Sequence, residues 1–148
     1  SKMSLLGASQ GGVVASLYAA SYPDRVHKLL LIFPAFVLFD DAKETYRELG
    51  SPDLDQLPDS LTHNNVTLGK IYLIDALGID IQSELAKITA PTLIIHGTDD
   101  AVVPYQYAVE ASQTIPNAEL VTVEGGEHGI DERFAITAAP AIQKFLKE

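Results

Sequence analysis

The sequence predicts an α/β fold built on a mostly parallel sheet flanked by helices. Three observations carry this. Apolar runs of strand length alternate with segments of helical character, the order that joins parallel strands through crossover helices. Two of the runs, Lys28–Phe33 and Pro91–Gly97, are nearly continuous in apolar residues, as a strand covered on both faces requires. Finally, Gly7-Ala8-Ser9-Gln10-Gly11 stands at the junction of the first strand and the first helix.

Taken in order, Met3–Leu6 reads as a short strand running straight into that glycine-rich turn. Val13–Tyr22 is apolar nearly all round and reads as a buried helix, stopped by Pro23-Asp24. Lys28–Phe33 is the next strand. Residues 34–88 then break the rhythm, because two neighbouring strands need a far shorter connection. The first half of this segment is acidic, with Asp40, Asp41, Glu44, Glu48, Asp53, Asp55 and Asp59, and the second, Val66–Leu85, is more apolar. It is read as an inserted cap over the carboxyl ends of the strands, with a solvated surface excursion as the alternative. Pro91–Gly97 and Glu119–Val123 are further strands, separated by a helix over Pro104–Ile115 whose proline falls in the first turn. In the tail, Phe134, Ala138, Ile142 and Phe145 recur at spacings of four, four and three, which predicts a helix over Glu132–Lys147. Pro140 inside it predicts a kink or a later start. The chain thus divides into a core segment of residues 1–33, the cap of residues 34–88 and a second core segment of residues 89–148.

Composition excludes several functions. The 148 residues, 47% apolar and 20% charged, suit one globular domain with a sizeable core. No stretch approaches the ~20 apolar residues of a membrane span. A net charge of −10 repels a phosphate backbone, so no nucleic-acid partner is expected. With no cysteine there is neither a disulfide framework nor a thiolate metal site. The four histidines are scattered without a ligand pair at helical spacing, and neither G-x-x-x-x-G-K-[ST] nor G-x-G-x-x-G occurs. No metal, no cofactor and no membrane partner are therefore expected. The chain opens Ser1-Lys2-Met3 and enters a strand at once, which predicts a fragment of a longer protein. Cytoplasmic localisation is the expectation, although such an opening carries no information about a leader.

The G-x-S-x-G pentapeptide between a strand and a helix is the pattern of a nucleophile elbow. The glycines are expected to clear side chains from a strained turn, so that Ser9 Oγ projects at the top of the sheet. The backbone N–H of Gln10 would then face a developing oxyanion. A serine hydroxyl needs a base to take its proton. His128, in Gly125-Gly126-Glu127-His128-Gly129 just past the strand Glu119–Val123, lies at a strand's carboxyl end, where it can reach Ser9. His96 lies within a strand and is expected to make a structural hydrogen bond. His27 precedes a strand and His63 lies in the cap segment. A carboxylate must orient the imidazole, and His96-Gly97-Thr98-Asp99-Asp100-Ala101-Val102-Val103-Pro104 offers two, Asp99 and Asp100, between which spacing does not choose. The order Ser, Asp, His is the one this architecture uses.

Over essentially its whole length the chain resembles the C-terminal part of an α/β-hydrolase. The family pattern of His-Gly, two free positions, Asp, two further positions and Val-Pro aligns on residues 96–104. The resemblance thereby assigns the acid to Asp100 and leaves Asp99 as a loop residue. Within the superfamily the chain is similar to bacterial cinnamoyl (feruloyl) esterases. The cues are Gly7-Ala8-Ser9-Gln10-Gly11-Gly12, His96–Asp100, Leu38-Phe39-Asp40-Asp41-Ala42 and Thr67–Leu73. That group often has histidine where Ala8 stands. The likeness implies a carboxylic ester hydrolase, with Asp41 and Tyr72 holding the phenolic end of the substrate. A glutamine that accompanies them in that group would fall near Glu48. An acyl-peptidase, lipase or thioesterase on the same fold, or a non-catalytic hydrolase-like fragment, are the alternatives. The implied partners are a small-molecule ester and the N-terminal half of the same hydrolase, with a homodimer also open. A second oxyanion donor and part of the sheet would precede residue 1, so the 148-residue chain alone is expected to be inactive or to aggregate.

Overall fold

The computed structural model describes residues 1–63 and 65–148; residue 64 and the side chain of His63 lie outside that description. Four strands, β1 (Met3–Ala8), β2 (Val26–Ile32), β5 (Thr92–Gly97) and β6 (Ala118–Val123), pair in parallel in the order β1-β2-β5-β6. Their burial follows their place. The inner strands β2 and β5 are buried at almost every residue, as their continuous apolar runs require, whereas β1 is exposed over much of its length.

Helix α1 (Gln10–Ser21) starts three residues before the apolar run that predicted it, because the turn at Ser9 is tight enough for the next residue to be helical. Nor is it buried all round. Val13, Ala15, Ala19 and Ala20 are buried, but Val14 is 63% exposed. The helix gives way to a single 3-10 turn at Pro23–Arg25 that leads into β2. Helix α5 (Gln106–Thr114) begins after Pro104, whose carbonyl accepts the Tyr107 N–H in a lead-in turn. The proline therefore shapes the entry to the helix without belonging to it.

Helix α6 (Glu132–Lys147) is capped by Asp131, whose Oδ1 accepts the Phe134 N–H at 2.9 Å. It runs through Pro140 as one helix. The carbonyl that loses its helical partner there belongs to Ile136, which is 68% exposed, so the gap falls on the solvent side of the helix. The inner face of α6 carries Phe134, Ala138 and Phe145 onto Leu30, Ile32, Leu93, Ile95 and Val123 of three neighbouring strands. Lys28 is buried within β2, and its Nζ donates to the Phe145 carbonyl at 2.7 Å, setting a positive charge at the negative end of α6.

The chain forms two compact units, Ser1–Phe36 with Gln82–Glu148, and Val37–Ile81. The smaller unit contains α2 (Val37–Glu48), an antiparallel hairpin of β3 (Ser60–His63) and β4 (Val66–Gly69), and α3 (Lys70–Leu77). Among the described residues, Phe39, Ala42, Leu57, Leu73, Ala76 and Ile81 are its buried apolar residues. A short helix α4 (Ile81–Leu85) follows it in the chain.

Phe134 is fully buried at the centre of the α6 face. Phe134→Ala is expected to cost about 3–5 kcal/mol of stability, read as a lowered urea midpoint with an unchanged slope.

Candidate active site

Ser9 closes β1 and caps α1 with φ 53° and ψ −122°, a backbone conformation that side-chain-bearing residues avoid. It is held there by its own N–H on the Ile32 carbonyl at 2.9 Å, and by its carbonyl accepting from Gly12 and Ala35 at 3.0 Å each. A capping serine ordinarily turns its hydroxyl onto the first turn of the helix. Ser9 makes no such bond, so its Oγ is left to meet another group. The turn also requires close approach. A Cβ on Gly7 would overlap the Gly11 carbonyl, and one on Gly12 would stand 2.8 Å from Cβ of Pro34. Gly11 itself faces open space, so the steric duty expected of it falls on Gly12. Gln10 is the first residue of α1, which places its amide beside Ser9 at the positive end of the helix.

The structure brings Ser9, His128 and Asp100 into one hydrogen-bonded row. His128 Nε2 lies 2.9 Å from Ser9 Oγ, and His128 Nδ1 lies 2.8 Å from Asp100 Oδ2. A carboxylate only accepts, so Nδ1 carries the proton and Nε2 offers its lone pair to the serine hydroxyl. Asp100 is buried, and its Oδ1 accepts the N–H groups of Val102 at 2.9 Å and Val103 at 2.7 Å. Asp99 is exposed, and its N–H donates to the Gly126 carbonyl. Of the two carboxylates, then, Asp100 meets the imidazole and Asp99 serves the loop.

The loop carrying His128 is fastened to the end of β5. Gly125 N–H donates to Thr98 Oγ1 at 2.8 Å, Thr98 N–H to the Val123 carbonyl at 3.1 Å and Asp99 N–H to the Gly126 carbonyl at 2.9 Å. The two backbones touch at Gly97, where a Cβ would overlap the Gly126 carbonyl.

Two neighbours were not foreseen from the sequence. The Phe33 ring lies 4.3 Å, centroid to centroid, from the His128 ring and 5.4 Å from Phe134. Phe33 also has a left-handed backbone, φ 32°, with its N–H on the Ile95 carbonyl at 2.8 Å. His96 makes the structural hydrogen bond expected of it, Nε2 to the Val103 carbonyl at 2.8 Å, but it also lies 3.3 Å from Asp100 Oδ2. Its four-residue spacing from Asp100 was the available signal. His27 is exposed.

Asp41 and Tyr72 both line a cavity of about 350 Å³ in the smaller unit, whose other walls include Leu38, Leu61, Leu68 and Leu73. Burial raises the Tyr72 phenol above its ordinary pKa, and the Asp41 charge adds to this. The ring therefore stays a protonated donor at neutral pH. Among the described residues no cluster of His, Cys, Asp or Glu is placed to hold a metal ion, and no helix is long and apolar enough to cross a membrane.

Residues 79–148 match the family of TAP-like proteins. The structure superposes on Est1E from Butyrivibrio proteoclasticus with a TM-score of 0.85 and 31% identity, over 99% of this chain and 60% of that one. Est1E with ferulic acid bound gives a TM-score of 0.83, again at 31% identity, over 99% of this chain and 59% of that one. Serine hydrolase BPHL of Homo sapiens is 26% identical over 162 aligned residues, 99% of this chain and 55% of that protein. Non-heme chloroperoxidase CPO-A1 of Kitasatospora aureofaciens is 47% identical over 64 residues, 42% of this chain and 23% of that protein. The chain thus spans less than two thirds of the length of each of these relatives. The chain has the α/β-hydrolase fold.

Burial drives the pKa of His96 below the ordinary histidine value, and the nearby His128 adds to this, against the opposing pull of Val103 and Asp100. The unfolded chain takes up a proton near pH 6.5 that the folded one refuses. Stability from this group is therefore complete above that pH and declines as pH falls through it. The melting temperature is expected to drop between about pH 7 and about pH 5, and His96→Gln is expected to flatten that slope.

Proposed function

We propose that the protein is a serine hydrolase that cleaves carboxylic esters through an acyl-enzyme, with hydroxycinnamate esters as its substrate class. The observation that carries this reading is the row Ser9 Oγ, His128 Nε2/Nδ1 and Asp100 Oδ2, set at a strained strand–helix turn. Ser9 Oγ attacks the ester carbonyl carbon while its proton passes to His128 Nε2. The charge that gathers on the carbonyl oxygen meets the Gln10 N–H, and one such donor is worth about 10²–10³ in rate. Asp100 stabilises the imidazolium through Nδ1–H. The tetrahedral adduct expels the alcohol oxygen, which takes the proton from Nε2. Water then attacks the acyl-serine, giving its proton to Nε2, and collapse of the second adduct returns that proton to Ser9 and releases the acid.

The acid side of the substrate rests on the cavity of the smaller unit, which combines apolar walls with one carboxylate and one protonated phenol. A carboxylate accepts from a phenolic O–H, and a neutral tyrosine hydroxyl both donates and accepts. Supporting this assignment is the 31% identity to Est1E, whose structure holds ferulic acid. On this reading the segment around α2 and α3 serves as the cap of the hydrolase.

In the full-length protein, Ser9→Ala is expected to lower kcat on ferulate esters by on the order of 10⁴–10⁶-fold with the fold intact by circular dichroism. Turnover that survived this change would overturn the mechanism. Asp41→Asn and Tyr72→Phe are each expected to raise KM for ferulate esters by about 5–30-fold while leaving short alkyl esters unaffected. Equal effects on both substrate sets, or a preference for long-chain lipid esters, would remove the hydroxycinnamate assignment.

A further inference from the structure

The proposed reaction uses one imidazole and leaves a second one, wholly buried, beside the same carboxylate. His96 sits near the end of β5 with its side chain out of contact with water. Its Nε2 is 2.8 Å from the Val103 carbonyl, which only accepts, so Nε2 carries the proton. The same N–H stands 3.3 Å from Asp100 Oδ2, the oxygen that also receives His128. Among the described residues Nδ1 has no hydrogen-bond partner. Leucine or phenylalanine would fill this space without burying an unpaired nitrogen, so packing alone does not account for a histidine here.

We propose that His96 is a positioning residue that fixes Asp100 for the reaction, acting as a neutral Nε2–H tautomer; this rests on the serine-hydrolase reading above. Its N–H closes a ring with the loop it serves. Val103 gives its own N–H to Asp100 Oδ1 at 2.7 Å and its carbonyl to His96, so one peptide is gripped at both ends. The carboxylate then has the Val102 and Val103 amides on Oδ1 and the His128 imidazole on Oδ2, with the His96 N–H 3.3 Å from that same oxygen and opposing its rotation away from His128. The neutral state matters, since a charged His96 would compete with the His128 imidazolium for the same oxygen. Burial enforces that state by opposing protonation.

The test compares two amides in the full-length protein. The side-chain nitrogen of glutamine reaches the depth of histidine Nε2, whereas that of asparagine reaches only the depth of Nδ1. His96→Gln is expected to keep kcat near the wild-type value. His96→Asn is expected to lower kcat by about 10–100-fold with KM held within about twofold. An asparagine variant as active as wild type, or a folded glutamine variant as poor as the asparagine one, would overturn the proposal. Where a variant fails to fold, nitrogen-15 NMR of histidine-labelled wild-type protein decides instead. The His96 ring should show protonated Nε2 and bare Nδ1, and the Nε2 proton resonance should move on Asp100→Asn. An Nδ1–H tautomer would refute the idea. Fluorophosphonate labelling of wild-type Ser9 separates the two levels. No labelling would overturn the hydrolase reading and this inference with it, whereas normal labelling with an unaffected asparagine variant would overturn the inference alone.

Discussion

At Ser9 the backbone holds a conformation that costs a side-chain-bearing residue about 1–3 kcal/mol, and the rest of the site depends on its being held there. Three backbone hydrogen bonds keep it in place, one continuing the β1–β2 ladder and two gathering Gly12 and Ala35 onto one carbonyl. The same geometry denies the hydroxyl its usual place on the helix end, so the oxygen is available to His128. A relaxed turn would return the serine to capping duty. The contacts at Gly7 and Gly12 exist because strand, turn and helix are folded back within van der Waals distance of one another.

The other two members of the row depend on loops that hold each other. The segment after β5 and the segment after β6 exchange backbone and hydroxyl hydrogen bonds at Thr98, Asp99, Gly125 and Gly126. Asp100 and His128 are therefore carried by loops that are bonded to one another. The carboxylate is anchored by amides of its own loop and the imidazole lies on Phe33, a residue that follows β2 directly. Each group of the row thus sits at the carboxyl end of a different parallel strand, the edge where such sheets gather functional side chains.

Much of this was legible in the residues. Strands β2 and β5 announced themselves because inner parallel strands are covered on both faces and can be apolar throughout. The spacing of Phe134, Ala138, Ile142 and Phe145 revealed α6 because one helical face meets the sheet. Ser9 and His128 stood out because glycine turns follow strands at both places. What remained hidden was whatever a distant segment decides. Spacing does not choose between the adjacent Asp99 and Asp100; the family pattern picks Asp100, and the structure adds the reason, a carboxylate buried beside His96 and His128 while Asp99 is exposed. Gly12, rather than Gly11, is sterically required because Pro34 comes back to it from beyond β2. Val14 looks like a core residue, but its side of α1 is exposed. Phe33 reads as the end of a strand, and its backbone reversal and its ring on His128 depend on neighbours from β5 and α6.

The buried ammonium of Lys28 has a mechanical corollary. It clamps the final turn of α6 to the sheet, while the first turn of the same helix presses Phe134 on Phe33 and, through it, braces the His128 ring. Helix α6 is thus a strut pinned at both ends, so that slack introduced at the far end, about three turns from the Phe134 contact, would be felt as play in the ring.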